Sequence, residues 1–278
     1  MKQQTYTLEL LTPCFCAGAD QAKAEIRAPA IRGQLRWWFR SLGGNAADER
    51  AVFGGVAGTD SASSLIIRIS DLKPGPAWQL PTRLDMNSDS YVYHFAKASA
   101  DGKRWTTTGA IPPKTTFKVH FLNRRALLPK LQAQLVLALR CFLQLGAIGL
   151  RATRGLGAFI CHQHPFTPAI LAEIATKAIA SEHRASPQLT SVDHIAREIG
   201  GLLKGTRKAT AMSYKMSSPF GSSSPRQTSA IYFRPVRTDS AVNICTLVIF
   251  EAPHNRVLGP ASKRAHPVVG RTQFTKPI

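Results

Sequence analysis

Apolar and polar residues alternate over residues 3 to 11, with Tyr6, Leu8 and Leu10 set against Thr5, Thr7 and Glu9. A period of two predicts a strand with one buried face. Thr12 to Pro29, with Pro13, Gly18 and several small residues, predicts a loop. From Ala30 to Leu42 the period becomes helical: Ile31, Leu35, Trp38, Phe39 and Leu42 fall on one side, and Gly43-Gly44 ends the element. A short helical turn is expected near Asp48 to Phe53, and SLIIRIS, Ser64 to Ser70, predicts a strand. Residues 71 to 90 carry Pro74, Gly75, Pro76 and Pro81 and read as an excursion, after which Tyr91 to Lys97 and Trp105 to Thr108 are expected to form a hairpin.

Thr116 to Leu122 alternates again, and Lys130 to Leu145 returns to helical spacing behind Pro129, ending at Gly146. A glycine-rich stretch leads to a short apolar strand, Ala158 to Cys161. The order is therefore β, α, β, β, α, β, the order of a ferredoxin-like unit, with an insertion of about forty residues between the middle strands. Further on, helices are expected near Pro168 to Ala180 and Val192 to Leu203, with strands near Ser229 to Arg234 and Asn243 to Phe250. The expected architecture is α+β, with one domain over residues 1–163 and a second, smaller α+β domain over 164–278. Ser217 to Ser224, rich in serine and proline, reads as a loop.

Charge changes this picture. The chain has 278 residues and 36 Lys+Arg against 16 Asp+Glu, a formal net charge of +20. Such an excess repels itself unless an anionic partner offsets it. Arginine outnumbers lysine, 22 to 14, and its planar fork grips phosphate through two donors. Nucleic acid becomes the expected partner. A membrane surface would call for a lysine-rich amphipathic helix or a polybasic tail, and here the arginines are spread along the chain. No apolar run approaches the length of a membrane-spanning helix, and the N-terminal residues form no signal core, so the expected location is cytoplasmic. Five scattered cysteines, an odd number, suit reduced thiols.

Two segments could carry nucleic-acid chemistry. On IRGQLRWWFR, Arg32, Arg36 and Arg40 are four residues apart and form one stripe. Like charges at that spacing repel unless something anionic lies across them. Trp37 falls on the polar side, where an indole can stack on a base. A solvated basic face with a packed tryptophan fits the same pattern. The second segment is GLRATRGLGAF, where Gly149, Gly155 and Gly157 surround Arg151 and Arg154. Glycine lets backbone N–H groups approach a phosphate, and the arginines supply countercharge. A glycine helix cap followed by a bulged strand would produce the same residues. The segment is neither a P-loop nor a dinucleotide fingerprint, because it precedes a strand and no GKS or GKT follows.

Taken together, TLELLTPCFCAGADQAKAEIRAPAIRGQLRWWFR and GLRATRGLGAF resemble the RAMP superfamily of CRISPR proteins, and within it the first-subunit family of Cmr-type complexes. Weaker likeness lies in Ser218 to Phe220 and Ser229 to Val236. The turn Cys14-Phe15-Cys16-Ala17-Gly18 departs from the family's more glycine-rich pattern. The resemblance implies tandem ferredoxin-like (RRM-like) domains, the second smaller or degenerate. It implies a non-catalytic RNA-binding subunit of a type III-B ribonucleoprotein effector in antiviral defence. Its partners would be the CRISPR guide RNA, the target RNA and other RAMP subunits, with no cofactor. By that resemblance, RNA contact falls on Arg27, Arg32, Arg36, Trp37 and Arg40 of the helix and on Gly149, Arg151, Arg154, Gly155 and Gly157 of the loop.

Two other readings stand beside this one, the first drawn from the same resemblance. A metal-independent endoribonuclease acting on CRISPR RNA could use His120, on the wet side of its strand, as a general base. An assembly protein could use its charge to dock on acidic neighbours. No metal site is expected: Cys161-His162-Gln163-His164 places adjacent residues on opposite strand faces, and the acidic residues are dispersed except for Asp48-Glu49.

Overall fold

The computed structural model describes residues 3–20, 23–55, 62–80, 91–96, 110–210, 220, 222–223, 226–239 and 241–252. In chain order the elements are β1 (Gln3–Leu10), α1 (Ala28–Ser41), α2 (Ala46–Phe53), β2 (Leu65–Lys73), β3 (Thr116–Asn123), α3 (Pro129–Leu145), β4 (Phe159–Cys161), α4 (Ala169–Ala175), β5 (Ala180–Leu189), α5 (Val192–Thr210), β6 (Ser222–Ser223), β7 (Arg226–Gln227), β8 (Ile231–Val236) and β9 (Cys245–Glu251).

The first four-stranded sheet is antiparallel in the order β2-β3-β1-β4. Two split β-α-β crossovers produce this order, as the element sequence predicts. Tyr6, Leu8 and Leu10 of β1 point into the core with Phe117, Val119 and Phe121 of β3, and α1 and α3 cover that face. Pro29 opens α1 and Pro129 opens α3, where a missing N–H has no helical partner to lose. Asn45 caps α2 by accepting the Asp48 N–H at 2.8 Å.

The second sheet is also antiparallel, in the order β5-β9-β8. Strands β9, at its centre, and β8, at its edge, are buried on both faces, so they read as continuous apolar runs. Tyr232, Val236, Val248 and Phe250 face α1 and α3 and join the first core. Ile231, Phe233, Leu247 and Ile249 face α5, whose Ile195, Ile199, Leu202 and Leu203 close a second core. The layers are the first sheet, α1 with α3, the second sheet, and α5.

Two expectations are corrected. Tyr91–Ala96 forms a 3-10 helix instead of a hairpin strand; Val92 and Tyr93 bury into the second core, which a two-fold alternation could not achieve. The partner expected at Trp105 to Thr108 lies outside the described residues, as do most of Ser217 to Ser224 and, within it, the pair Ser218-Pro219. The helix expected over Pro168 to Ala180 stops at Ala175, and β5 follows. No apolar alternation announces β5, because its side chains from Ala180 to Arg184 are half-buried and its ladder to β9 holds it. Among the described residues no helix is long and apolar enough to cross a membrane.

Candidate nucleic-acid interface

Helix α1 divides its residues between two jobs. Ile31, Leu35, Trp38 and Phe39 are buried in the first core, and the arginines stand outside it. Arg36 Nε lies 2.5 Å and Arg40 Nη1 lies 2.8 Å from the same atom, Glu49 Oε1. The carboxylate comes from α2 and its side chain is only 7 % exposed, whereas the two arginines are 39 % and 41 % exposed. The anion that the stripe needs is therefore supplied partly from within. Each guanidinium spends an inner edge on Glu49 and keeps donors facing water. Arg27, just before α1, pairs with Glu25 at 3.1 Å. Arg32 is half-buried, and among the described residues its Nε has no hydrogen-bond partner.

Trp37 is placed differently from the stacking position its spacing suggests. Its ring lies 4.7 Å from Tyr232, 4.9 Å from Trp38 and 6.4 Å from Phe250. The indole joins α1 to the second sheet, an apolar partner invisible to a single-helix reading.

The glycine-rich loop is strapped to the N-terminal turn. Leu150 N–H donates to Phe15 O at 2.8 Å, Gly157 N–H to Pro13 O at 2.9 Å, and Thr12 Oγ1 to Gly155 O at 2.7 Å. Gly149, Gly155 and Gly157 have φ of 84°, 79° and 64°, the region that glycine enters freely. A Cβ on Gly157 would come 1.8 Å from Ile148 O, and one on Gly149 would come 2.6 Å from Phe15 O. These close approaches are to protein backbone, whereas a Cβ on Gly155 would meet side-chain atoms, Ile199 Cδ1 at 2.5 Å and Pro235 Cδ at 3.2 Å. Arg154 is buried, and its Nη2 donates to Phe220 O at 2.9 Å. Arg151 is the exposed cation of the loop; it adopts φ 58° and lies 5.4 Å over the Phe95 ring.

Both segments meet on β8. Trp37 packs on Tyr232, Phe233 N–H donates to Thr153 O at 3.2 Å, and Arg234 stands between them. Arg234 is fully enclosed, donating to Leu145 O and Ala152 O at 2.8 Å each, with Phe250 under its guanidinium at 5.9 Å. Burial lowers its pKa to about 10, so it stays charged. Arg237 donates to Glu9 Oε1 at 2.7 Å, and Glu9 also holds His162 at 3.1 Å. Sequence reading missed Arg234, Arg237 and Glu49. The only signals were one arginine inside an apolar strand and another just after it, in IYFRPVR, and the one adjacent acidic pair.

The Cys14 thiol donates to Ile148 O at 3.5 Å and lies beside that of Cys16. Interaction with Cys14 lowers the Cys16 pKa to about 7, helped by Arg27, while the Cys14 thiol is raised well above its usual value. Among the described residues no group of three or more His, Cys, Asp or Glu could hold a metal.

The RAMP superfamily model matches residues 7–160. Two split crossovers, the glycine-rich loop and that match define the class: the chain belongs to the RAMP superfamily. Within it, the chain is similar to two Cmr subunits of Pyrococcus furiosus. It is 30 % identical to Cmr1-1 over 163 residues, covering 55 % of this chain and 43 % of that one. It is 28 % identical to Cmr1-2 over 181 residues, covering 57 % of this chain and 94 % of that one. The match thus spans less than half the length of Cmr1-1. The fold resembles the crystal structure of apo Cmr1 from Pyrococcus furiosus, with TM-score 0.57, 17 % identity, and 99 % and 92 % of the two chains covered. It also resembles a chain of the type III-B Cmr-beta complex bound to cognate target RNA and AMPPnP, with TM-score 0.52, 12 % identity, and 89 % and 93 % covered.

Proposed function

We propose that this chain is a non-catalytic, cytoplasmic RNA-binding subunit of a type III-B CRISPR effector ribonucleoprotein. It works beside other RAMP subunits and holds the sugar–phosphate backbone of guide or target RNA. The observation that carries the reading is the pair Arg36 and Arg40, anchored through one buried carboxylate with their outer donors exposed. Two pre-ordered guanidinium edges suit phosphate, which takes charge-assisted hydrogen bonds from a fixed fork. Arg32, Arg27 and the exposed Arg151 extend the basic surface. Trp37, Arg154 and the three loop glycines shape it from behind by fixing α1 and the loop on β8. Because phosphate contacts carry little sequence information, binding is largely sequence-independent.

The second unit supports a tandem arrangement. Its β5-α5-β8-β9 order, with β9 between β5 and β8, repeats the first three strands of the ferredoxin-like unit. We infer a degenerate second copy beginning near residue 164, whose packing on α1 makes the RNA-facing helix part of both units.

A non-catalytic role fits the surroundings of His120. Both ring nitrogens bond hydroxyls, Thr5 Oγ1 at 2.9 Å and Ser70 Oγ at 2.8 Å, and among the described residues no carboxylate orients the imidazole as a base. The test is to tag the protein in its host, purify it gently, sequence the RNA that accompanies it and identify the attached proteins. CRISPR-derived guides together with RAMP subunits are the expected result. Bulk RNA without protein partners would contradict the assignment.

A further inference from the structure

The open face of the first sheet, opposite α1 and α3, carries an ordered array that the reading above does not use. Register places Arg68 opposite His120 and His120 opposite Thr5 in one rung; Ser70 stands opposite Lys118 and Lys118 opposite Thr7 in the next rung on that face. Positions two apart on a strand share a face. The alternate residues Tyr6, Ile67, Val119 and Phe121 are in the core, so these six side chains form a two-by-three grid across β2, β3 and β1. The second core covers this face at the β4 edge, through Ile160.

The grid is cationic and rich in donors, and the carboxylate beside it is that of Asp71. Arg68 is exposed and forms no ion pair among the described residues. Lys118 meets Asp71 at 2.7 Å, but both side chains are about half exposed, and such a pair is weak and readily exchanged. Glu9, the nearest acid on β1, is committed to Arg237 and His162. At the centre, His120 bridges Thr5 Oγ1 and Ser70 Oγ, and Gln3 Nε2 lies 3.3 Å from its Nδ1. This chain of hydroxyl, imidazole and hydroxyl can both donate and accept.

RNA-binding sheets ordinarily stack bases on aromatic rings. Among the described residues this face presents no phenyl, phenol or indole ring, since Tyr6, Phe117 and Phe121 point inward. The ligand it fits is a backbone. We propose that this face binds the sugar–phosphate backbone of single-stranded RNA. Arg68 and Lys118 take phosphates, and Thr5, His120 and Ser70 take ribose 2′-hydroxyls, which are likewise donors and acceptors. The proposal adds a second RNA surface to the one on α1 and does not depend on it.

The experiment uses the full chain and fluorescence anisotropy with a short oligouridine and its oligodeoxyuridine counterpart. Arg68→Ala with Lys118→Ala is expected to weaken binding of both by about tenfold and to lower the log–log salt slope by about 1.4, or 0.7 for each phosphate no longer neutralised. Thr5→Val with Ser70→Ala is expected to erase the preference for RNA over DNA while leaving the slope unchanged. Wild-type binding by both double variants, with unchanged circular dichroism, would overturn the proposal. Arg36→Ala with Arg40→Ala separates the two surfaces: weakening there alone upholds the α1 reading and removes this one, whereas weakening at Arg68 and Lys118 alone does the reverse. Cleavage of the oligouridine at one position, abolished by His120→Ala, would also overturn it, because the face would then be a reaction site.

Discussion

Glu49 shows how one residue can reverse the meaning of a charge pattern. Three arginines at helical spacing repel, and one buried carboxylate bound to two of them turns that repulsion into order. Replacing Glu49 with alanine leaves two cations without their shared anion. It is expected to lower stability by about 1 to 2 kcal/mol, the range for a bridge buried at one end and open to water at the other. Thermal unfolding checks this, and an unchanged melting temperature would show that the carboxylate holds nothing. A sequence places an acid in the next helix but does not say where it points, so the residue stayed hidden while the arginines were legible.

Cys16 supports a prediction in pH. Its thiol pKa is lowered to about 7 by the neighbouring Cys14 and by Arg27, whereas burial pushes Cys141 up to about 12 and Cys245 up to about 11. The thiolate is the reactive form, so it accumulates on Cys16 as pH rises through about 7. Iodoacetamide followed by peptide mass spectrometry should label Cys16 first, with a rate that climbs through that pH. Labelling spread evenly over the five cysteines would contradict this. Two glycines give a paired test of backbone conformation. Gly157→Ala adds a methyl to a left-handed residue facing Ile148 O, with about 1 to 2 kcal/mol of strain before the clash. Gly33→Ala, in α1 with open space around it, should raise stability by about 0.5 to 1 kcal/mol. Denaturant titration distinguishes the signs.

Elements were legible where period and punctuation agreed. For α1, β1, β3 and α3, the alternation or helical spacing names the buried residues, and proline or glycine marks the ends. Legibility failed where tertiary contacts decide. Strand β5, with its polar ASEHRASPQL, is a strand because β9 pairs with it. The 3-10 helix at Tyr91–Ala96 exists because the second core takes Val92 and Tyr93. Trp37 and Trp38 show the limit within one element: helical spacing identified Trp38 as buried, but not the sheet that packs on Trp37. Trp38 is 1 % exposed and lies 5.4 Å from Phe250. Trp38→Ala should therefore cost about 3 to 5 kcal/mol, measured by chemical unfolding. A variant as stable as the wild type would mean that α1 does not join the two sheets.

In the whole molecule, the two motifs that pointed to a family turn out to be one structural unit. Residues Thr12 to Phe15 and the glycine-rich loop are tied together by backbone hydrogen bonds, and both loop and helix rest on β8. The glycines are needed for that closure, and the exposed arginines stand at the surface around it. Net charge and arginine content suggested an anionic partner from composition alone. The division of the arginines between structure and surface needed coordinates: Arg154, Arg234 and Arg237 are buried, while Arg36, Arg40, Arg68 and Arg151 reach water.

In the proposed function, phosphate contacts from exposed arginines hold RNA, and a salt titration tests this most directly. Affinity of the full chain for single-stranded RNA should fall linearly on a log–log scale, with a slope of about −0.7 per phosphate neutralised. Arg36→Ala with Arg40→Ala should make that slope shallower by about 1.4 while the protein stays folded. A slope near zero, or one that the double variant leaves unchanged, would contradict the account.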